Sequence, residues 1–155
     1  MMNYDPDWVK SYYDQYGTKE WQRWDASLVE QVKLEVHLHY LRACLRAGDR
    51  VLEIGAGPGR FTQHLAGISN RIVVADISPV QLRLNRDNAQ MLGYDKSVER
   101  WVECDICDLR PHFGDAEFDA VVCYGGPLSY VFERRERAIS ELLRVTRPGG
   151  RLFRG

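Results

Sequence analysis

The chain has 155 residues, enough for one domain with a sizeable core and too few to expect two. Hydrophobic residues make up 45% of it and charged residues 28%, a balance typical of a globular protein and not of a disordered one. The formal net charge of -1 gives no overall attraction to polyphosphate, so we expect no nucleic-acid partner.

Membrane and metal signals are weak in this sequence. No apolar run approaches the roughly 18 residues of a membrane span, and the N-terminus lacks the pattern of a signal peptide. We therefore expect a cytoplasmic protein with no membrane partner. Four cysteines without a secretion signal favour free thiols, and the single pair Cys104-x-x-Cys107 favours a structural role over a metal site.

The first 25 residues mix aromatic and charged side chains without a clean period. This composition predicts a short helical arm or lid over residues 1–25, followed by one domain over residues 26–155. A long helix is predicted from Asp25, and Gly48 is expected to end it. Its apolar stripe consists of leucines spaced three or four residues apart: Leu34, Leu38, Leu41 and Leu45.

After Gly48, short β-branched runs alternate with helical patterns, which is the signature of βαβ units and a parallel sheet. Four strands are predicted over residues 50–54, 71–75, 98–104 and 118–124. A fifth is predicted to begin at Arg151, after the glycines and proline of residues 148–150 break the preceding helix. The sequence thus predicts an α/β fold with helices packed on both faces of the sheet.

Three helices are predicted between these strands. The best-marked one has Ser78 as its cap, Pro79 at its first position and Gln81 three residues after the cap, and Gly93 is expected to end it. The other two are predicted from their apolar faces, which consist of Phe61, Leu65 and Ile68 in one and of Ile139, Leu142, Leu143 and Thr146 in the other.

A glycine-rich turn follows the first strand directly and leads into a helix. Gly55, Ala56 and Gly57 lie at this turn, where glycine lets the backbone bend sharply and lets a ligand approach the main chain. Arg60 stands where a dinucleotide fingerprint has its third glycine, and Glu53 lies two residues before the turn. A carboxylate here would repel a pyrophosphate and suit a cationic ligand, which argues against NAD.

With these motifs in order, the sequence resembles the class I S-adenosylmethionine-dependent methyltransferases from about Leu34 to its last residue. The resemblance implies a Rossmann-like three-layer αβα fold with a mainly parallel sheet, and S-adenosylmethionine as the cofactor. Asp76 resembles the family's second-strand acid, whose two oxygens can accept both ribose hydroxyls. The other interpretation of Asp76 is a cap of the following helix.

Two further motifs of the family place the rest of the cofactor. Asp105 resembles the acid that accepts the adenine amino group, and Ile77 and Ile106 would enclose the adenine ring with apolar surface. Asp105 is otherwise explained as a turn residue after a strand. Cys123 and Tyr124 resemble the end of the family's fourth strand, where backbone carbonyls meet the methionine ammonium.

The acceptor is less well defined than the cofactor. The fourth motif lacks the Asn/Asp-Pro-Pro-Tyr/Phe element of amino-group methyltransferases and the Pro-Cys pair of cytosine-carbon methyltransferases, which leaves a small-molecule methyl acceptor as the expectation. No catalytic residue is predicted, since no histidine or tyrosine is selected by its spacing. The alternative is a non-catalytic domain that binds the nucleoside or serves as an interaction module.

The family's fold normally continues beyond the fifth strand. We therefore expect a sheet that lacks the terminal strands of the usual seven, as in a methyltransferase truncated at its C-terminus. An uncovered sheet edge leaves backbone donors and acceptors unpaired, which favours pairing between copies of the chain and predicts a homo-oligomer.

Overall fold

The computed structural model describes residues 3–155, in which six α-helices surround a sheet of five strands. Short 3₁₀ turns supplement them at Arg23–Asp25, Asp95–Ser97, Pro127–Ser129 and Phe132–Arg134. The helices are α1 Pro6–Tyr16, α2 Lys19–Gln22, α3 Leu28–Cys44, α4 Arg60–Ala66, α5 Pro79–Leu92 and α6 Arg135–Val145. The strands are β1 Val51–Ile54, β2 Ile72–Asp76, β3 Val98–Glu103, β4 Phe118–Cys123 and β5 Thr146–Arg154.

The sheet has the strand order β3-β2-β1-β4-β5, and each neighbouring pair is parallel. Strands β1 and β2 are buried along their whole length, as expected of a parallel sheet covered on both faces, although each carries one acid, Glu53 in β1 and Asp76 in β2. The chain passes from β1 outward to β2 and β3, then returns to the other side of β1 with β4. This reversal places a topological switch point between β1 and β4.

Two apolar cores fill the space on the two faces of the sheet. On one face, Leu34, Leu38 and Leu41 of α3 pack with residues of α4 and α5 against Val51 and Val74. On the other face, α6 packs against the side chains that alternate with these, among them Leu52, Ile54 and Val73. Each fully buried aliphatic side chain contributes about 1.5 to 3 kcal/mol to folding. The predicted three-layer αβα architecture is therefore confirmed.

Three of the predicted boundaries or faces are wrong in detail. Helix α3 begins at Leu28, capped by Ser27, and ends at Cys44, because Leu45 is already extended. Strand β5 begins at Thr146, not at Arg151, since Thr146 pairs with Phe118 before the register shifts. In α6, Leu143 is 57% exposed, and the face toward the sheet carries Ala138, Leu142 and Val145.

Helix α5 starts and stops where its sequence predicts. The Ser78 hydroxyl accepts a hydrogen bond from the backbone N–H of Gln81 at 3.0 Å, and Gly93 ends the helix in the left-handed conformation. The four cysteines are free thiols, three of them buried. Within residues 3–155, no cluster of side chains suited to a metal ion is found.

No helix in the described part of the chain is both long and apolar enough to cross a bilayer.

Candidate functional site

A cleft opens at the carboxyl ends of β1, β2 and β4, beside the switch point of the sheet. It contains about 620 Å³ of empty space, counted out through its mouth into solvent. Residues from the strand ends and from the N-terminal segment line it together. In open parallel sheets this position is where ligands bind.

The glycine turn after β1 forms the floor of this cleft. Gly55, Gly57 and Gly59 all have positive φ angles, of +68°, +54° and +99°. A Cβ on Gly55 would lie 2.2 Å from Cγ of Pro127, in the loop after β4. Only glycine allows these two loops to approach so closely. Ala56 is buried, and its N–H donates to Ala75 O, so it holds the turn to β2 without lining the cleft.

Asp76 ends β2 and reaches the same turn. Its Oδ2 accepts the N–H of Gly57 at 2.8 Å, and its Oδ1 accepts the N–H of Ser78 at 2.9 Å. Burial raises the pKa of Asp76 to about 6, although its backbone hydrogen bonds oppose this shift. The carboxyl group lines the cleft and links the glycine turn to the start of α5. It thus combines the cleft position and the helix-start contact that the sequence left as alternatives.

Glu53 does not line the cleft, contrary to the role given to its charge by the sequence. Side chains alternate along β1, so Leu52 and Ile54 face α6 while Glu53 faces α4. There its Oε2 accepts the hydroxyl of Thr62 at 2.6 Å, and Asn85 donates to the same hydroxyl oxygen. Burial raises the pKa of Glu53 to about 8, which keeps the carboxyl group mostly protonated at neutral pH.

Apolar residues after β2 and β3 form one wall of the cleft. Ile77 and Ile106 both line it, together with Cys104. Asp105 lies between the last two in sequence but is not part of the lining. Its Oδ1 accepts the hydroxyl of Tyr4 and the N–H of Cys107, both at 2.7 Å. Oδ1 of Asp105 therefore already accepts two hydrogen bonds from the protein itself.

The cleft lining continues in the loop that follows β4. Cys123 and Tyr124 are buried and their side chains point away from the cleft, whose lining begins at Gly125. The Tyr124 ring stacks on His37 of α3 with ring centroids 4.0 Å apart. Burial raises the pKa of Cys123 to about 12, so this thiol stays protonated and unreactive.

The N-terminal arm, residues 3–25 of the described chain, covers the cleft. Tyr4, Val9, Tyr13 and Glu20 all line it, and none of them was singled out from the sequence. Tyr13 packs edge-to-face on Tyr130 of the loop after β4, with ring centroids 5.7 Å apart. The signal of this contact in the sequence is the density of aromatic residues in the arm.

Polar contacts tie the arm to the rim of the cleft. The side-chain amide of Gln81 donates to Tyr13 O and to Gly17 O, at 2.9 and 3.0 Å. Asp14 accepts the hydroxyl of Ser78 at 2.5 Å. Ser78 caps α5 and Gln81 lies in its first turn, so these contacts anchor the arm beside Asp76.

An ion pair at the edge of the cleft joins two residues of the arm, of which Glu20 lines the cleft. Glu20 Oε1 lies 2.8 Å from Nη2 of Arg23, and the two side chains are 12% and 30% exposed. The Arg23 guanidinium also donates to the carbonyl of Gly125 at 3.3 to 3.4 Å. Burial raises the pKa of Glu20 to about 7, Arg23 lowers it and Asp76 raises it further.

Comparison with known proteins identifies the family to which the chain is similar. Residues 52–154 match the family model described as a methyltransferase domain. The chain is 38% identical over 112 residues to the ubiquinone/menaquinone biosynthesis C-methyltransferase UbiE of Pseudomonas fluorescens, covering 70% of the chain and 42% of that protein. It is 41% identical over 106 residues to the demethylmenaquinone methyltransferase of Clavibacter sepedonicus, covering 68% and 40%. The chain thus spans about two fifths of the length of these curated relatives.

Solved structures agree with the fold. The [4+2]-cyclase SpnF superposes with a TM-score of 0.81 at 24% identity, over 98% of this chain and 60% of the other. The N-methyltransferase NodS of Bradyrhizobium japonicum, solved with S-adenosylhomocysteine, gives a TM-score of 0.67 at 26% identity, over 84% and 63%.

Proposed function

Since the chain belongs to the class I S-adenosylmethionine-dependent methyltransferases, we propose that its cleft binds S-adenosylmethionine and that the methyl group passes directly to a small-molecule acceptor. The observation that carries the proposal is the contact between the Asp76 carboxylate and the Gly57 N–H at the switch point of the sheet. It brings the glycine turn and the acid of β2, which are distant in sequence, to one edge of one cleft.

The residues of the cleft fit a nucleoside. A Cβ at Gly55 would collide with Pro127, so only glycine lets the turn after β1 and the loop after β4 close together around one cleft. Each Asp76 oxygen accepts one N–H, and a carboxylate oxygen can accept a second donor such as a ribose hydroxyl. Ile77 and Ile106 supply the apolar surface that an adenine ring requires.

S-adenosylmethionine supplies a methyl group bound to a positively charged sulfur. When the methyl group is transferred, the sulfur remains with the nucleoside as a neutral thioether. The chain then has to hold an acceptor in line with that methyl group and exclude water from it. Tyr13 and Tyr130 meet across the mouth of the cleft and serve this exclusion in our proposal, with the arm acting as a lid. An electron pair of the acceptor forms the new bond to the methyl carbon as the carbon–sulfur bond breaks. For a carbon acceptor this pair comes from an electron-rich ring, and the proton on the methylated carbon is released to solvent, so the proposal assigns no general base.

A carbon acceptor is favoured within the small-molecule class. The curated relatives described above are named as a C-methyltransferase of ubiquinone and menaquinone biosynthesis and as a demethylmenaquinone methyltransferase. We therefore place quinone precursors first in the acceptor panel, ahead of oxygen and nitrogen acceptors.

Two measurements test the proposal. Calorimetric titration with S-adenosylhomocysteine measures binding, and we expect one site per chain. A methyl-release assay over the acceptor panel then separates an enzyme from a domain that only binds the nucleoside. Absence of S-adenosylhomocysteine binding by the folded chain would refute the proposal as a whole, whereas binding without methyl release would refute its catalytic part.

A further inference from the structure

The Glu20–Arg23 ion pair bridges the two loops that bound the cleft. Cγ of Glu20 would lie 3.4 Å from a Cβ built on Gly57, in the turn after β1. The Arg23 guanidinium contacts the carbonyl of Gly125, in the loop after β4. The pair therefore places a negative group in the cleft lining and a positive group directly beside it, against Gly125 at the edge of the cleft.

A structural role explains this pair poorly. An ion pair at i and i+3 on a helix stabilises it by only a few tenths of a kcal/mol. Glu20 is mostly removed from water and close enough to Asp76 for their charges to repel. Nε of Arg23 is buried and has no hydrogen-bond partner among the described residues. A buried donor without a partner is costly unless a ligand uses the site.

Adjacent carboxylate and guanidinium groups are complementary to an α-amino acid, which carries an ammonium and a carboxylate on one carbon. We infer that Glu20 binds the ammonium group and Arg23 the carboxylate group of the amino-acid end of the cofactor. This inference rests on the proposed function. In the structure the two side chains neutralise each other, so each ligand charge finds a partner already held in the cleft, for Glu20, or at its edge, for Arg23.

The raised pKa of Glu20 supports this assignment. The charged groups that face it are Arg23 on its own segment and Asp76 at the end of β2, and the Tyr13 hydroxyl of α1 lies near it. An ammonium at Glu20 favours the ionised carboxylate, so binding releases the proton that burial retains up to a pKa of about 7. Affinity for an amino-acid-bearing ligand is therefore expected to rise as the pH increases through 7.

The test compares two ligands that share a nucleoside and differ at the amino-acid end. S-adenosylhomocysteine carries the ammonium and carboxylate groups, and 5′-methylthioadenosine lacks both. We expect Arg23→Gln and Glu20→Gln each to weaken S-adenosylhomocysteine binding by about tenfold or more, as loss of a hydrogen-bonded charge predicts. Binding of 5′-methylthioadenosine should change by less than about twofold.

Matched variants control for charge and for folding. Glu35→Gln removes the same type of carboxylate from the exposed pair Glu35–Arg42 and should leave both affinities unchanged. Arg23→Lys keeps the positive charge and should recover part of the S-adenosylhomocysteine affinity that Arg23→Gln loses. Circular dichroism of each variant establishes that the chain is folded.

Each outcome decides between the claims. Equal weakening of both ligands would mean that the pair only holds the arm in place, which overturns the inference. Unchanged S-adenosylhomocysteine binding in both glutamine variants overturns it as well, while the proposed function stands. If the parent chain binds neither ligand, the proposed function fails first and the inference fails with it.

Discussion

Replacing Gly55 by alanine tests whether the glycine turn is required by its contact with the loop after β4. The substitution adds one methyl group at φ +68°, where its carbon would lie 2.2 Å from Cγ of Pro127. The left-handed backbone costs an L-residue about 1 to 2 kcal/mol. Overpacking in a closed contact costs about 1 to 3 kcal/mol more. We therefore expect Gly55→Ala to lower the free energy of unfolding by about 2 to 5 kcal/mol.

Gly93→Ala provides the matched control, because Gly93 also has a positive φ angle, +78°, but no atom lies within 4 Å of its added Cβ. It should lose only the backbone part, about 1 to 2 kcal/mol. Urea unfolding of the parent and both variants measures the two losses. Titration with S-adenosylhomocysteine should show weakened binding for Gly55→Ala and parental binding for Gly93→Ala. Equal losses of stability in the two variants would refute the steric reasoning.

Three further predictions concern buried acids and assembly. Asp76→Ala should weaken S-adenosylhomocysteine binding by about 1 to 3 kcal/mol, measured by calorimetry, and full retention of affinity would exclude its role at the ribose. Because burial raises the pKa of Glu53 from 4.5 to about 8, the folded chain holds a proton that the unfolded chain releases, and stability falls as pH rises from 4.5 through 8. Glu53→Gln should remove the part of this pH dependence that comes from Glu53. In urea unfolding, the free energy of unfolding of the variant minus that of the parent should therefore grow from pH 6 to pH 9. Light scattering at micromolar concentration should show a homo-oligomer, and a monomer would contradict pairing through the sheet edge.

The sheet and most of its helices were predictable because their signals are local and repeated. The buried runs of β1 and β2, and the cap and stop of α5 at Ser78 and Gly93, can be identified within a few residues of sequence. The start of β5 has no such local signal in the sequence. Thr146 extends the strand because it pairs with Phe118, and that pairing depends on how β4 is already placed in the sheet.

The arm was underestimated for a different reason. Helix α1 has clear capping signals, since Asp5 accepts the N–H groups of Asp7 and Trp8 and proline follows it directly. Val9, Tyr13 and Tyr16 recur along it at helical spacing, and Val9 and Tyr13 line the cleft. Hydrophobic periodicity identifies the face of a helix that is covered, but it does not tell whether that face packs on a sheet or closes a ligand site.

The two glutamates show where an argument from charge depends on geometry. The sequence argument required a carboxylate beside the glycine turn to favour a cationic ligand, and Glu53 is the acid nearest to that turn in sequence. Strand alternation points Glu53 away from the cleft, where burial keeps it mostly protonated at pH 7. Glu20, more than thirty residues earlier in the chain, lies beside Gly57 in the cleft. The electrostatic requirement can therefore be met, but by a residue that only the folded arm brings to the site.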